Sequence, residues 1–306
     1  MKSLVGYTGF VGSNIVQCGN FDNLYNSKDV EQGYGSSPDL LVYAGVTGTK
    51  YIANKFPDQD LEIIESAKKN ISNLNPKKLI LISTIDVYTK PDGQNEDSEP
   101  NSTSDFVYGY HRKELEKWVM ENVDDYLIVR LPGIYGKNIR KNFIFDMINP
   151  IPQALSEKFY KDFSTKEEII KDLYACGNDG FYHHTKLTTI EEKELIRAFY
   201  RIKFTSLNFT DSRGVFQYYN LENLWNHLEI AIKNNLKILN IATEPFLISE
   251  LYEYIYNKTY VNEISNNIPF YNLKTKYDFI FNGRGGYIYS KEQIMKDIEK
   301  FVTSYK

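Results

Sequence analysis

Met1-Lys-Ser-Leu-Val-Gly6-Tyr-Thr-Gly9-Phe-Val-Gly12 opens the chain and decides its fold. A short apolar strand, Lys2–Gly6, runs straight into three glycines at three-residue spacing, and a helical pattern of Phe10, Val11, Ile15 and Val16 follows. A nucleotide diphosphate needs this arrangement. Gly6 lets the chain turn sharply off the strand. Gly9 carries no side chain, so backbone N–H groups can come close to a pyrophosphate, and Gly12 lets the helix pack tightly on the sheet. The helix start then presents unpaired N–H donors and the positive end of a dipole to the anion. Thr8, Phe10 and Val11 complete the loop. A glycine trio alone says little; its position between a strand and a helix is what makes it a dinucleotide site.

Outward from this stretch, strand and helix alternate. Phe10–Cys18 reads as a helix closed by Gly19, Asn23–Asn26 as a second strand and Asp39–Val46 as a buried strand. An amphipathic helix follows from Asp58, with Leu61, Ile63, Ile64 and Ala67 on its apolar side. Lys78–Thr84 is another apolar strand, Lys90–Asp105 a polar loop with Pro91, Gly93 and Pro100. A helix from Tyr108 to Asn122 and the strand Tyr126–Leu131 continue the pattern. Repeated βα units of this length predict an α/β fold: a doubly wound, Rossmann-type parallel sheet with helices on both faces. After Gly136 the regularity falls. It returns at Val215–Tyr219, Leu221–Asn234, Lys237–Thr243 and Ile248–Tyr256, and Ser290–Val302 reads as a terminal helix. We therefore expect a dinucleotide domain of residues 1–139 with about 211–243. A smaller, mostly helical C-terminal lobe would hold 140–210 and 244–306.

A net charge of −4 with interspersed acids argues against a nucleic-acid partner, whose phosphates need clustered Lys and Arg. The longest apolar runs, such as Leu40–Val46, are too short to span a bilayer, so no membrane partner is expected. Two cysteines, Cys18 and Cys176, allow no disulfide framework, and Cys18 reads as a small core residue. With no basic-then-apolar leader ahead of the first strand, a cytoplasmic location is expected. No metal signature appears. His183 and His184 are adjacent and would face opposite sides of a strand. His111 and His227 lie in helices without a ligand partner at useful spacing.

The chemistry concentrates in Tyr108-Gly-Tyr-His-Arg112-Lys113 and in the strand end Ser83-Thr84. Residues four apart share a helix face. A cation one turn beyond a tyrosine stabilises phenolate, lowers the phenol pKa and makes the pair a general acid/base unit. A hydroxyl at Ser83 or Thr84 could bind the same substrate oxygen.

These pieces, in this order, resemble an extended short-chain dehydrogenase/reductase of the NAD(P)-dependent nucleotide-sugar epimerase/dehydratase type. Gly6-x-x-Gly9-x-x-Gly12 resembles its cofactor loop. Ser83-Thr84-Ile85-Asp86-Val87-Tyr88 resembles its catalytic-strand motif, with Thr84 at the Ser/Thr position. Tyr108-x-x-x-Arg112 resembles its Tyr-x-x-x-Lys. Arg130-Leu131-Pro132-Gly133-Ile-Tyr-Gly136 resembles the segment beside the nicotinamide, and Asn142-Phe143 the start of the sugar-nucleotide helix. Phe216–Leu224 and Asn240–Leu251 resemble the later strand-to-helix segments. The resemblance implies hydride transfer on a nucleoside-diphosphate sugar, in bacterial surface-polysaccharide sugar synthesis, with NAD or NADP held also by Ala44, Gly45, Val46 and Ser83. It implies catalysis by Tyr108, Thr84 and Arg112, and a homodimer through helices flanking Tyr108.

Three departures stand out. The motif lysine falls on Arg112, which cannot release a proton; Lys113 lies about 100° further round the helix. Of the acid and base that follow the threonine in sugar-nucleotide dehydratases, only Asp86 is present; on an extended chain it would point the same way as Thr84 and serve as a base. No carboxylate closes the second strand, which ends in Asn26, Ser27 and Lys28, and Asp29 reads as too far on, so NADP stays as open as NAD. For the substrate pyrophosphate the candidate donors are Asn142, Arg213 and Arg284. Epimerase, reductase and dehydratase all stay open, as does a silent binding protein on the same scaffold.

Overall fold

Near-continuous apolar runs build strands that are buried on both faces, successive side chains pointing to opposite sides. The computed structural model describes residues 1–305. In chain order the first elements are β1 (Lys2–Val5), α1 (Phe10–Cys18), β2 (Asn23–Tyr25), β3 (Leu40–Tyr43), α2 (Lys50–Lys55) and α3 (Pro57–Leu74). Then come β4 (Leu79–Thr84), α4 (Val107–Asn122), β5 (Tyr126–Leu131), β6 (Gly133–Tyr135), α5 (Phe143–Ile148), β7 (Ala154–Leu155), α6 (Glu157–Lys166) and α7 (Glu168–Leu173). After β8 (Tyr174–Cys176), β9 (Tyr182–His184) and α8 (Thr189–Arg201) follow β10 (Val215–Phe216), β11 (Tyr218–Asn220), α9 (Leu224–Lys233) and β12 (Ile238–Asn240). The chain ends with β13 (Phe246–Leu247), α10 (Ile248–Tyr256) and α11 (Lys291–Thr303).

Six strands form one parallel sheet in the order β2-β1-β3-β4-β5-β12. The fold is the doubly wound, Rossmann-type α/β fold. Leu4, Val42, Ile80, Leu127 and Val129 face one side, where they pack with Ile15 of α1 and Leu228 of α9. Their neighbours Val5, Leu41, Leu79, Leu81 and Ile128 face the other side, against Ile64 of α3 and Leu115 and Val119 of α4. The chain passes from β1 to β2 on one flank and returns to β3 on the other. The carboxyl ends of β1 and β3 therefore form the switch point where such sheets bind ligands.

The chain divides into two compact units. The first comprises Met1–Ile139, Val215–Leu247 and Pro269–Asp297, and the second Arg140–Gly214, Ile248–Ile268 and Ile298–Lys306. Pro269–Asp297, grouped by the sequence with the second lobe, is thus part of the first unit. Buried polar side chains tie it there. Glu96 accepts Thr275 Oγ1 (2.6 Å) and the Lys276 N–H (2.8 Å), and Gln217 Oε1 accepts the Leu273 N–H (2.7 Å). The second unit is mostly helical around a core of Leu155, Phe163, Ile170, Tyr174, Leu195 and Phe199, with one small antiparallel sheet, β7-β9-β8. Cys18 does not enter the core: it is exposed in the last turn of α1, with Sγ 3.6 Å from the Glu222 carbonyl. Among the described residues no helix is long and apolar enough to cross a membrane.

Candidate active site

The glycine loop leaves the carboxyl end of β1. Gly6 has φ +91°, and a Cβ there would lie 2.4 Å from the Ala44 carbonyl oxygen. A Cβ on Gly12 would lie 2.1 Å from the Gly6 carbonyl oxygen, so both positions demand glycine. Gly9, exposed, begins α1 with no side-chain cap, which leaves the first-turn N–H groups of Phe10, Val11 and Gly12 for an anion. Thr8 is exposed beside them. Ala44 continues the sheet beyond β3 through its N–H to Val5 O (2.9 Å), and Gly45 and Val46 follow. Leu131 ends β5, and Pro132 leads to Gly133, where a Cβ would meet Gln217 O at 2.8 Å. The loop, Ala44 and Leu131 thus share the carboxyl edge of one sheet, an arrangement that fits a dinucleotide.

A carboxylate does close the second strand. Asp29 folds back so that Oδ1 accepts the Asn26 N–H (2.6 Å) and Oδ2 the Asn26 amide (3.1 Å). Ser27 and Lys28 are exposed beside it. The sequence distance of three residues is bridged by a turn, with Asn26 Oδ1 accepting the Lys28 N–H (2.8 Å).

Tyr108 lies buried in the first turn of α4, its N–H on Asn54 Oδ1 (3.1 Å). Thr84, at the end of β4, lies beside the Tyr108 phenol and pulls its pKa down. Thr84 also caps a single 3-10 turn, Ile85–Val87, by accepting the Asp86 N–H (3.2 Å). This turn, rather than an extended strand, puts Asp86 Oδ2 3.5 Å from Thr84 Oγ1. Ser83 faces the opposite way, as alternation along a strand requires. Its buried hydroxyl donates to Glu116 at 2.5 Å, so its one proton is committed within the fold.

Arg112 departs furthest from expectation. Its guanidinium is 4% exposed and donates to Asp60 (2.5 Å), Tyr108 O (3.1 Å) and Thr47 O (2.7 Å). It stacks over the Tyr108 ring face, 4.0 Å from the centroid. It is a sealed strut between α3, α4 and the segment after β3. The phenol is not made easy to ionise. Burial pushes its pKa above the usual value, and Asp86 adds to this, outweighing Arg112, Thr84 and Lys50, which pull it down.

Lys50, absent from the sequence candidates, belongs to this cluster. Its ammonium pairs with Asp86 Oδ1 (2.6 Å) and donates to Tyr271 OH (3.3 Å). Burial alone would lower its pKa, but Asp86 and Tyr271 more than reverse that, so it stays charged. No spacing rule links residues 50, 86 and 271.

The pyrophosphate candidates are scattered. Asn142, in the second unit, has φ +90° and caps α5, its Oδ1 accepting the Ile144 and Phe145 N–H groups. Arg213, in the same unit, is engaged by Asp211 (2.8 Å), Glu263 (3.1 Å) and Ser265 O (2.8 Å), a loop-closing cluster rather than an open anion donor. Arg284, in the first unit, is exposed on a tight turn closed by backbone bonds to Tyr287. Among the described residues no group of His, Cys, Asp or Glu could hold a metal ion.

Several solved structures superpose on the whole chain. The dTDP-4-dehydrorhamnose reductase of Bacillus anthracis, in complex with NADP, covers 99% of this chain and 97% of its own at 15% identity, with a TM-score of 0.66. The UDP-glucose 4-epimerase of Thermotoga maritima, with UDP-glucose, covers 100% and 98% at 13% identity and 0.62. The Bordetella bronchiseptica enzyme WbmG, in complex with NAD and UDP, covers 99% and 93% at 14% identity and 0.60. The chain has their fold. At these identities the likeness is one of fold. No protein-family model and no curated protein matches the sequence.

Proposed function

We propose that this protein is an NAD(P)-dependent oxidoreductase or epimerase of a nucleoside-diphosphate sugar, with Tyr108 as its general acid/base. One observation carries the reading: Tyr108 and Thr84 meet at the end of β4, on the carboxyl edge that also bears the glycine loop. Solved structures with this fold include a reductase in complex with NADP, an epimerase with UDP-glucose and an enzyme in complex with NAD and UDP.

The N–H groups of Phe10, Val11 and Gly12 would hold the cofactor pyrophosphate, with Ala44–Val46 and Leu131–Gly133 along the same edge. Asp29, at the tip of β2, would accept the ribose hydroxyls and favour NAD over NADP, whose 2′-phosphate it would repel. A nicotinamide dinucleotide supplies hydride exchange when bound. Tyr108 takes the proton from a sugar hydroxyl or returns it to a ketone, and Thr84 polarises the same oxygen. Arg112 holds the phenol ring in place. Asp86 is already paired with Lys50 at 2.6 Å, and Ile85 supplies no acid, which favours epimerisation or reduction over dehydration.

Calorimetry with NAD and NADP, then a panel of nucleotide sugars followed at the nicotinamide absorbance band, tests the reading. Tyr108→Phe should lower turnover by about 10²–10⁴-fold while leaving cofactor affinity nearly unchanged. Full activity in that variant, or no binding of either dinucleotide, overturns it.

A further inference from the structure

We propose that Lys50 and Asp86 form a neutralising pair that sets how readily Tyr108 exchanges its proton, with Lys50 as a positioning residue delivered from outside the tyrosine's own helix. The inference rests on Tyr108 being the proton-transfer group proposed above.

Geometry separates the two cations near Tyr108. Arg112 lies over the ring face, its donors drawn toward Asp60, Thr47 O and the helix backbone. The hydroxyl end meets a different segment. A Cβ built on Gly48 would lie 3.8 Å from the Tyr108 hydroxyl, two residues before Lys50. From there Lys50 reaches Asp86 Oδ1, and Tyr271 OH closes the triangle at 3.3 Å to Nζ and 3.4 Å to Oδ1. The other carboxylate oxygen stands 3.5 Å from Thr84 Oγ1, the hydroxyl that lies beside the Tyr108 phenol and pulls its pKa down.

Every charged group facing the phenol then has a counter-charge. Arg112, on the same helix, is matched by Asp60 of α3, which also holds His111 at 2.8 Å. Asp86, after β4, is matched by Lys50 of α2. Tyr271 and Thr84 add only neutral hydroxyls. Without Lys50, the Asp86 carboxylate would oppose phenolate formation alone, in a site dry enough for one charge to matter. Lys50 is 47% exposed on its side chain and Asp86 19%, so the pair sits at the mouth of the cluster, where Lys50 can be replaced without opening the core.

The test places 3,5-difluorotyrosine at position 108, whose fluorines bring the phenol into the pH range where the protein is folded, and titrates the cofactor-free protein by ¹⁹F NMR. Lys50→Met should raise the Tyr108 midpoint by roughly one pH unit and Asp86→Asn should lower it by a similar amount. Lys50→Met with Asp86→Asn should return it close to the parent, and Lys50→Arg, which keeps the charge, should leave it there. Midpoints unmoved by either single change, or moved in the same direction by both, overturn the proposal. The readout needs no turnover, so it fails separately from the assignment of Tyr108, which the Tyr108→Phe kinetics decide.

Discussion

Removing the Arg130 side chain should destabilise the first unit strongly. Arg130 pairs with Glu116 through Nε (3.1 Å to each carboxylate oxygen) and Nη2 (2.7 Å), and Nη1 donates to Tyr88 OH (2.7 Å). Both ion-pair side chains are 1% exposed. Glu116 also accepts Ser83, and Tyr88 OH donates to the Asn95 and Ser98 carbonyls, so one network joins α4 to the ends of β4 and β5 and to the following loop. Arg130→Met leaves a carboxylate buried without its cation, which costs about 3–5 kcal/mol. With a denaturation slope of about 3 kcal/mol per M of urea, the midpoint falls by about 1–1.7 M. The two tryptophans, Trp118 and Trp225, both lie in the first unit, so their fluorescence reports its unfolding. Replacing both partners, Arg130→Met with Glu116→Leu, removes the stranded charge. It should recover to within about 2 kcal/mol of the parent, the remainder being the Ser83 hydroxyl without its acceptor. A loss under about 1 kcal/mol for the single variant, or a double variant no better than the single, would refute this account of α4.

Two further outcomes follow from buried or capping groups. Asp29→Asn should shift the ratio of NAD to NADP dissociation constants toward NADP by roughly tenfold, about 1.4 kcal/mol; an unchanged ratio would remove Asp29 from the cofactor site. His227 is buried with Nδ1 2.7 Å from Tyr219 OH and Nε2 3.3 Å from Tyr289 OH, and burial pushes its pKa down to about 4. The folded state keeps this imidazole neutral while the unfolded chain takes up a proton below about 6.5. Its contribution to stability is therefore full above about pH 6.5 and is lost as pH falls toward 4. Urea midpoints across that range should fall for the parent protein and fall less steeply for His227→Asn; equal slopes count against the burial argument.

What the sequence makes legible is local. The glycine loop needs only a strand, a turn and a helix within twelve consecutive residues, and the sheet follows from apolar runs of strand length. Pro269–Asp297 escapes because its attachment to the first unit runs through Glu96 and Gln217, which lie far away in sequence. Helix α2 escapes because, of Lys50–Lys55, only Ala53 is buried, so no apolar stripe announces it. Its order comes from tertiary contact, such as Asn54 Oδ1 accepting the Tyr108 N–H.

The same division runs through the site. Thr84 and Tyr108 are readable because each sits at a fixed place on a strand end or a helix start. Their electrostatics are not, because counter-charges arrive from elsewhere: Asp60 lies 52 residues before Arg112, and Lys50 lies 36 before Asp86. Spacing places a cation one turn beyond the tyrosine and stops there. It does not say that Asp60 has already balanced that cation, or that the arginine lies over the ring rather than at the oxygen. Arg112 is paired with Asp60 and Asp86 with Lys50, and at the phenol Asp86 opposes Arg112, Thr84 and Lys50. Desolvation is the largest influence on its ionisation, and the pKa of Tyr108 rises where the motif alone predicts a fall.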